Sequence, residues 1–203
     1  MDELIKKYLK KDDPDVLHDL RIYARKTLSK LALENKTDSS LKKLLKKSSK
    51  LRDTDVLMKI CKNKEIKKYL KKKHKKLRKK FIKFLKKFKS EIIELKEKQE
   101  DISLEKCKKI LSETFLNKDD KTLHKIRIEV KKCRYTNPHL EKYLKKIQDY
   151  LGKAHDYYNC EKMMKKFDLN PKKLIKKKEK FIKKAEKKRI KLLHQISTLH
   201  SSL

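Results

Sequence analysis

The hexapeptide LHDLRI at residues 17–22 returns as LHKIRI at residues 123–128, with the histidine, the arginine and the outer leucine and isoleucine unchanged. A chain that builds the same His-x-x-Arg twice is a duplicated chain. The likeness extends outward from the hexapeptides. After the first copy comes LKKLLKKSSKLRDTDV (41–56), and after the second LKKIQDYLGKAHDYYN (144–159). Each is an amphipathic stretch that ends in a basic residue followed by aspartate, Arg52-Asp53 in one and His155-Asp156 in the other. The spacing between the copies drifts by only a few residues along this stretch, so we expect one duplicated domain over 1–203 with halves 1–100 and 101–203.

The local code is helical. One glycine and three prolines in 203 residues leave little material for hairpins, and alternating β-branched sequence is scarce. Asp13-Pro14, Asn137-Pro138 and Asn170-Pro171 each put a capping residue before a proline suited to a first helical turn. The pattern predicts helices over 2–10, 14–34, 38–50, 53–99 with a break near Asn63, 102–116, 120–136, 138–151, 153–167 and 171–200. Ile66, Leu70, Leu77, Phe81, Leu85, Phe88, Ile92 and Leu95 form one apolar stripe in the long middle segment. Leu174, Phe181, Ala185, Leu192, Ile196 and Leu199 form another near the C-terminus. Both stripes are expected to be core.

Charge is the second strong signal. Lys+Arg 63 against Asp+Glu 28 gives a net charge of +35. Self-repulsion of that size points to a polyanionic partner: polyphosphate, nucleic acid or an acidic surface. Leu, Ile, Val and Phe still make up about a quarter of the chain, above the range in which highly charged chains stay unfolded. Cys61, Cys107, Cys133 and Cys160 are scattered without a C-x-x-C pair and are expected to be reduced core thiols. The charged N-terminal stretch MDELIKKYLKKDDPD and the lack of a long apolar run lead us to expect a soluble cytoplasmic protein.

On a helix, His18, Arg21 and Arg25 fall within about 60° of one another, and His124, Arg127 and Lys131 repeat the pattern with Arg134 added. Leu17, Leu20, Ala24, Leu28 and Leu31 occupy the adjoining face of the first copy. Each cationic stripe therefore borders the core and needs anionic partners. Those partners are either internal carboxylates, with Asp53 and Asp156 as structural ion-pair candidates, or the phosphate oxygens of a ligand.

The pattern H-x-x-R-x-x-x-[RK], followed by L-G-x-x-[RH]-D and repeated, resembles the CHAD family, named for conserved histidines in α-helices. LHDLRIYARK, SKLRDTDV, LHKIRIEVKKCRY and LGKAHDYY carry the likeness, in the family's order and over most of the chain. The resemblance implies an all-α fold of two tandem four-helix bundles related by a pseudo-twofold axis, with a basic channel or cleft that binds inorganic polyphosphate. It assigns that surface to His18, Arg21, Arg25, Arg52, His124, Arg127, Lys131 and Arg134, with no cofactor and no metal. The chain departs from the pattern where Leu28 stands opposite Arg134 and Ser49 opposite Gly152. A triphosphate-cleaving module would need E-x-E-x-K and strands to carry it, and the sequence has neither, so a non-catalytic role is expected. Asp53 and Asp55 suit a helix start better than a metal site. Nucleic-acid binding is the alternative reading, with few aromatics placed for stacking. The lysine-flanked stripe of residues 77–95 would also suit an acidic membrane surface, but it is needed for the core.

Overall fold

The computed structural model describes residues 1–94 and 103–200, with side chains except those of Leu33 and residues 197–200. Leu95 and Leu199 of the apolar stripes lie outside the described side chains. The chain divides into two compact units, Met1–Glu100 and Asp101–Leu203. Among the described residues the fold is all-α apart from one pair of three-residue strands. Among the described residues no helix is long and apolar enough to cross a membrane.

The first unit packs α1 (Asp2–Lys10), α2 (Pro14–Leu33), α3 (Ser39–Ile60) and α4 (Lys64–Leu85), each on its neighbour, with α1 also meeting α4. Asp13 accepts from the backbone N–H groups of Asp15 and Val16 and caps α2 with Pro14 in its first turn. Asn63 does the same for α4 through Glu65 and Ile66. Tyr8, Leu17, Leu20, Ala24, Leu44, Leu51 and Phe81 fill the core, with Tyr8 set edge-on to Phe81 at 5.8 Å. Each fully buried leucine or phenylalanine among them contributes about 1.5–3 kcal/mol.

Two expectations fail in this unit. α3 does not break near residue 51: Leu41, Leu44, Leu51 and Leu57 are buried along it, and that packing carries the helix through the serine pair, where the Ser48 hydroxyl donates back to the Leu44 carbonyl. Asp53 and Asp55 therefore lie inside a helix, not at its start. The middle helix also stops at Leu85, not near 99. Beyond it, β2 (Ile92–Glu94) pairs antiparallel with β1 (Lys36–Asp38), in register Thr37 to Ile93. Asp38 anchors this pairing by capping Leu41 and accepting from the Ser90 hydroxyl. Ile92, expected in the core stripe, is 57% exposed on β2. Its β-branched neighbour suits extended backbone as well as it suits a helix.

The second unit packs α5 (Leu104–Ser112), α6 (Asp120–Thr136), α7 (Glu141–Lys166) and α8 (Lys172–His200), and α5 also meets α8. Its core gathers Phe115, Leu123, Ile126, Val130, Leu144, Ile147, Leu151, Ala185 and Leu192. Asp119 caps α6, and Asn170 caps the start of α8. Pro138 opens a single 3-10 turn, Pro138–Leu140, that leads into α7. Asn137 does not cap it; its side-chain amide turns back to the Cys133 carbonyl. α7 runs unbroken through Gly152 because Leu144, Ile147, Leu151 and Ala154 are buried along it, which outweighs a glycine cost of about 1 kcal/mol. The expectation of four reduced thiols is corrected here. Cys107 and Cys133 form a disulfide with Cα atoms 5.8 Å apart, and no free thiol is present among the described residues.

Candidate anion site

The motif cations lie where helical periodicity puts them, beside the core. His18, Arg25, Arg52, His124, Arg127, Lys131 and Arg134 are half-buried, and Arg21 is buried. What separates the two copies is how these cations are held.

In the first unit Arg21 and Arg52 are tied to backbone. Arg21 Nη1 donates to the Leu45 carbonyl at 2.7 Å and to the Ser48 hydroxyl. Arg52 Nη1 donates to the Pro14 carbonyl at 3.1 Å, joining α3 to the first turn of α2. Burial, followed by repulsion from Arg25 and Arg52 against attraction from Asp53, lowers the Arg21 pKa to about 10. Burial and the Arg52 charge likewise lower the pKa of His18. Asp53 contributes an attraction to Arg21. The residue beneath Arg21 is Ser48, not the Ser49 that the repeat aligns with Gly152; the Ser49 hydroxyl faces outward and bonds the Lys46 carbonyl.

In the second unit the cations are held by packing. The Arg127 guanidinium lies over Gly152, 3.9 Å from where a Cβ would stand. Arg134 sits over the Tyr135 ring at 4.5 Å, and Lys131 lies 5.7 Å from the same ring. Arg127 Nε, Arg134 Nε and His124 Nδ1 are buried without a hydrogen-bond partner in the structure. His155 of α7, which the repeat aligns with Arg52 but which was not assigned to the binding surface, stacks on His124 with ring centroids 4.7 Å apart. Its Nδ1 lies 3.3 Å from the Asn159 amide. The basic-Asp pair was the sequence signal for His155; periodicity along one helix gives no hint that its ring meets one from α6.

Carboxylates in both units serve side chains outside the stripes. In the first unit Asp55 meets His74 Nε2 at 2.9 Å, and Asp12 meets Arg78 Nε at 3.0 Å. In the second, Lys178 Nζ lies between Asp120 at 3.0 Å and Glu161 at 3.1 Å, while Glu186 chelates Arg189. Each unit thus places a fourth-helix side chain, His74 in the first and Lys178 in the second, between a carboxylate at or near the start of its motif helix and one on the third helix. No group of three or more metal-ligating side chains occurs among the described residues.

Burial, then Arg127, His124 and Lys162, lower the His155 pKa to about 4, and burial with Arg127 lowers that of His124. Between pH about 6.5 and 4 the unfolded chain therefore takes up a proton that folded His155 does not. Stability is full above this window and falls as pH drops through it, on the order of 1–2 kcal/mol for His155 once solvent screening of the half-buried ring is counted. Urea midpoints at pH 7 and 5 should differ more for the native chain than for His155→Gln. Equal differences would show that His155 titrates normally.

Gly152 itself is not sterically required. The 3.9 Å space takes a methyl group without a clash, and the residue is mid-helix. Gly152→Ala should raise stability by about 0.5–1 kcal/mol in urea unfolding. A loss would mean that the arginine needs the bare backbone.

No protein-family model matches the chain, and neither curated proteins nor solved structures give a match.

Proposed function

We propose that this chain binds inorganic polyphosphate without cleaving it, through the half-buried cationic stripes of a duplicated pair of four-helix bundles like those of the CHAD family. The stripe on α6, with His124, Arg127, Lys131 and Arg134, is the stronger of the two. The observation that carries the reading is the set of buried, unpartnered polar atoms on Arg127, Arg134 and His124, in a unit whose buried carboxylates Glu161 and Glu186 serve other cations. The buried N–H groups of Arg127 and Arg134 are costly without an acceptor, and phosphate oxygens supply one in charge-assisted form. In the first copy Leu28 packs against the core in the place corresponding to Arg134, so that copy has one cation fewer.

A generic basic surface would bind any polyanion, with affinity falling steeply as salt rises. The test is competition between long-chain polyphosphate and double-stranded DNA at ~150 mM salt, where exposed charges are screened. Polyphosphate is expected to win at equal phosphate concentration. Equal affinity would reduce the protein to a non-specific basic binder. Release of free phosphate that Asp53→Ala abolished would replace binding with hydrolysis.

A further inference from the structure

The second unit carries an aromatic surface that phosphate chemistry does not use. Tyr150 and Tyr157 are two helical turns apart on α7 and so share a face. Phe181 of α8 lies by both, with centroids 6.3 Å from Tyr150 and 5.6 Å from Tyr157 and planes inclined by only 30° and 15°. The three rings thus form a nearly parallel, half-exposed mosaic.

Exposed lysines cover it. Lys153 Nζ is 5.3 Å from the Phe181 centroid, Lys184 Nζ is 5.7 Å from Phe181 and 5.9 Å from Tyr150, and Lys177 Nζ is 5.9 Å from Tyr157. Lys184 continues into an open depression on α8 lined also by Lys180, Lys183 and Lys187. Lysines four apart on a helix rise by about 6 Å, close to the spacing of phosphates along an extended single strand. Position 157 is about 200° around α7 from His155, so this surface is separate from the histidine stack.

We propose that the Tyr150, Phe181 and Tyr157 rings, with Lys153, Lys177 and Lys184, form a binding site for single-stranded nucleic acid. Each lysine is a mobile stem on a ring face and swings aside at little cost. A base then takes the face and the ammonium takes the adjoining phosphate. Polyphosphate has no π-face to offer, and a duplex keeps its bases stacked inside, so neither ligand gains from the rings. DNA and RNA strands share the chemistry, and oligo-dT and oligo-U arms separate them.

The experiment uses the full chain and labelled oligonucleotides of about ten residues. It compares oligo-dT with an abasic strand of equal length and charge at ~150 mM salt, by anisotropy. The base-bearing strand should bind about tenfold tighter and quench tyrosine emission, which no tryptophan obscures. Tyr157→Leu combined with Phe181→Leu should bring the ratio to about one while polyphosphate affinity changes by less than about twofold. Circular dichroism checks the fold, and Tyr157→Leu alone serves if the double variant does not fold. Equal binding of abasic and base-bearing strands by the native chain would overturn the proposal, as would a tenfold ratio that survives loss of the rings. Polyphosphate binding, measured on the same proteins, stands or falls separately.

Discussion

Glu186→Ala is expected to destabilise the second unit by about 3–5 kcal/mol, more than any single surface change. Glu186 is buried, and its carboxylate accepts from the Thr114 hydroxyl, from the Phe115 backbone N–H at 2.9 Å, and from Arg189 in a two-pronged contact of 2.6 and 2.8 Å. Arg189 also donates to the Leu111 carbonyl, so one pair ties α8 to the end of α5 and the segment after it. Removing the carboxylate leaves a buried guanidinium and a buried N–H without their acceptor. Burial alone would raise the Glu186 pKa, but the hydrogen bonds from Arg189, Phe115 and Thr114 bring it below the ordinary value. Lys165→Ala, at an ion pair whose lysine is 61% exposed, is the contrasting case and should cost under about 1 kcal/mol. Urea unfolding of the full chain compares the two. Similar losses would mean that water screens the Glu186 cluster as it screens the surface pair.

Arg127→Gln together with Arg134→Gln should lower polyphosphate affinity by about 100-fold at ~150 mM salt, since each charge-assisted bond to a phosphate oxygen is worth about 1.5–3 kcal/mol. Glutamine keeps part of each stem in place, so the loss reports charge and donor geometry more than packing. The control is Lys172→Gln with Lys173→Gln, which removes the same charge from the exposed start of α8 and should cost under about threefold. An equal loss from both pairs, measured by calorimetry, would sink the assignment of the α6 stripe. Arg21 in the first copy is not equivalent to Arg127. Its bonds to Leu45 and Ser48 make Arg21→Gln a change in stability as well as in binding.

The asymmetry between copies was half legible. Leu28 opposite Arg134 can be read from the repeat, whereas the backbone anchoring of Arg21 cannot, because it depends on a serine 27 residues away facing inward. Ser48 and Ser49 are chemically the same in sequence. Only the face of α3 each occupies decides which one meets the arginine. The site residue the sequence left out, His155, shares this origin, since stacking on His124 joins two helices whose individual patterns say nothing about ring-to-ring approach. The aromatic mosaic was missed for the same reason: Tyr150, Phe181 and Tyr157 come together only when α7 and α8 pack.

Sequence by itself determined the all-helical class, the starts at Asp13-Pro14, Asn63 and Asn170, and the placing of each cationic stripe beside an apolar one. These are local properties, set by side chains within about four residues of one another through capping geometry and the 3.6-residue turn. Tertiary structure alone decided that α3 and α7 run unbroken, that the chain after Leu85 turns into a strand, that Cys107 joins Cys133, and that Asp55 and Glu161 meet His74 and Lys178 of the fourth helices. The contacts behind those outcomes join residues from 17 to 58 positions apart in sequence. A buried charge takes whichever opposite charge packing brings within hydrogen-bond distance, and a chain with lysine on almost every helical face offers many candidates that periodicity cannot rank.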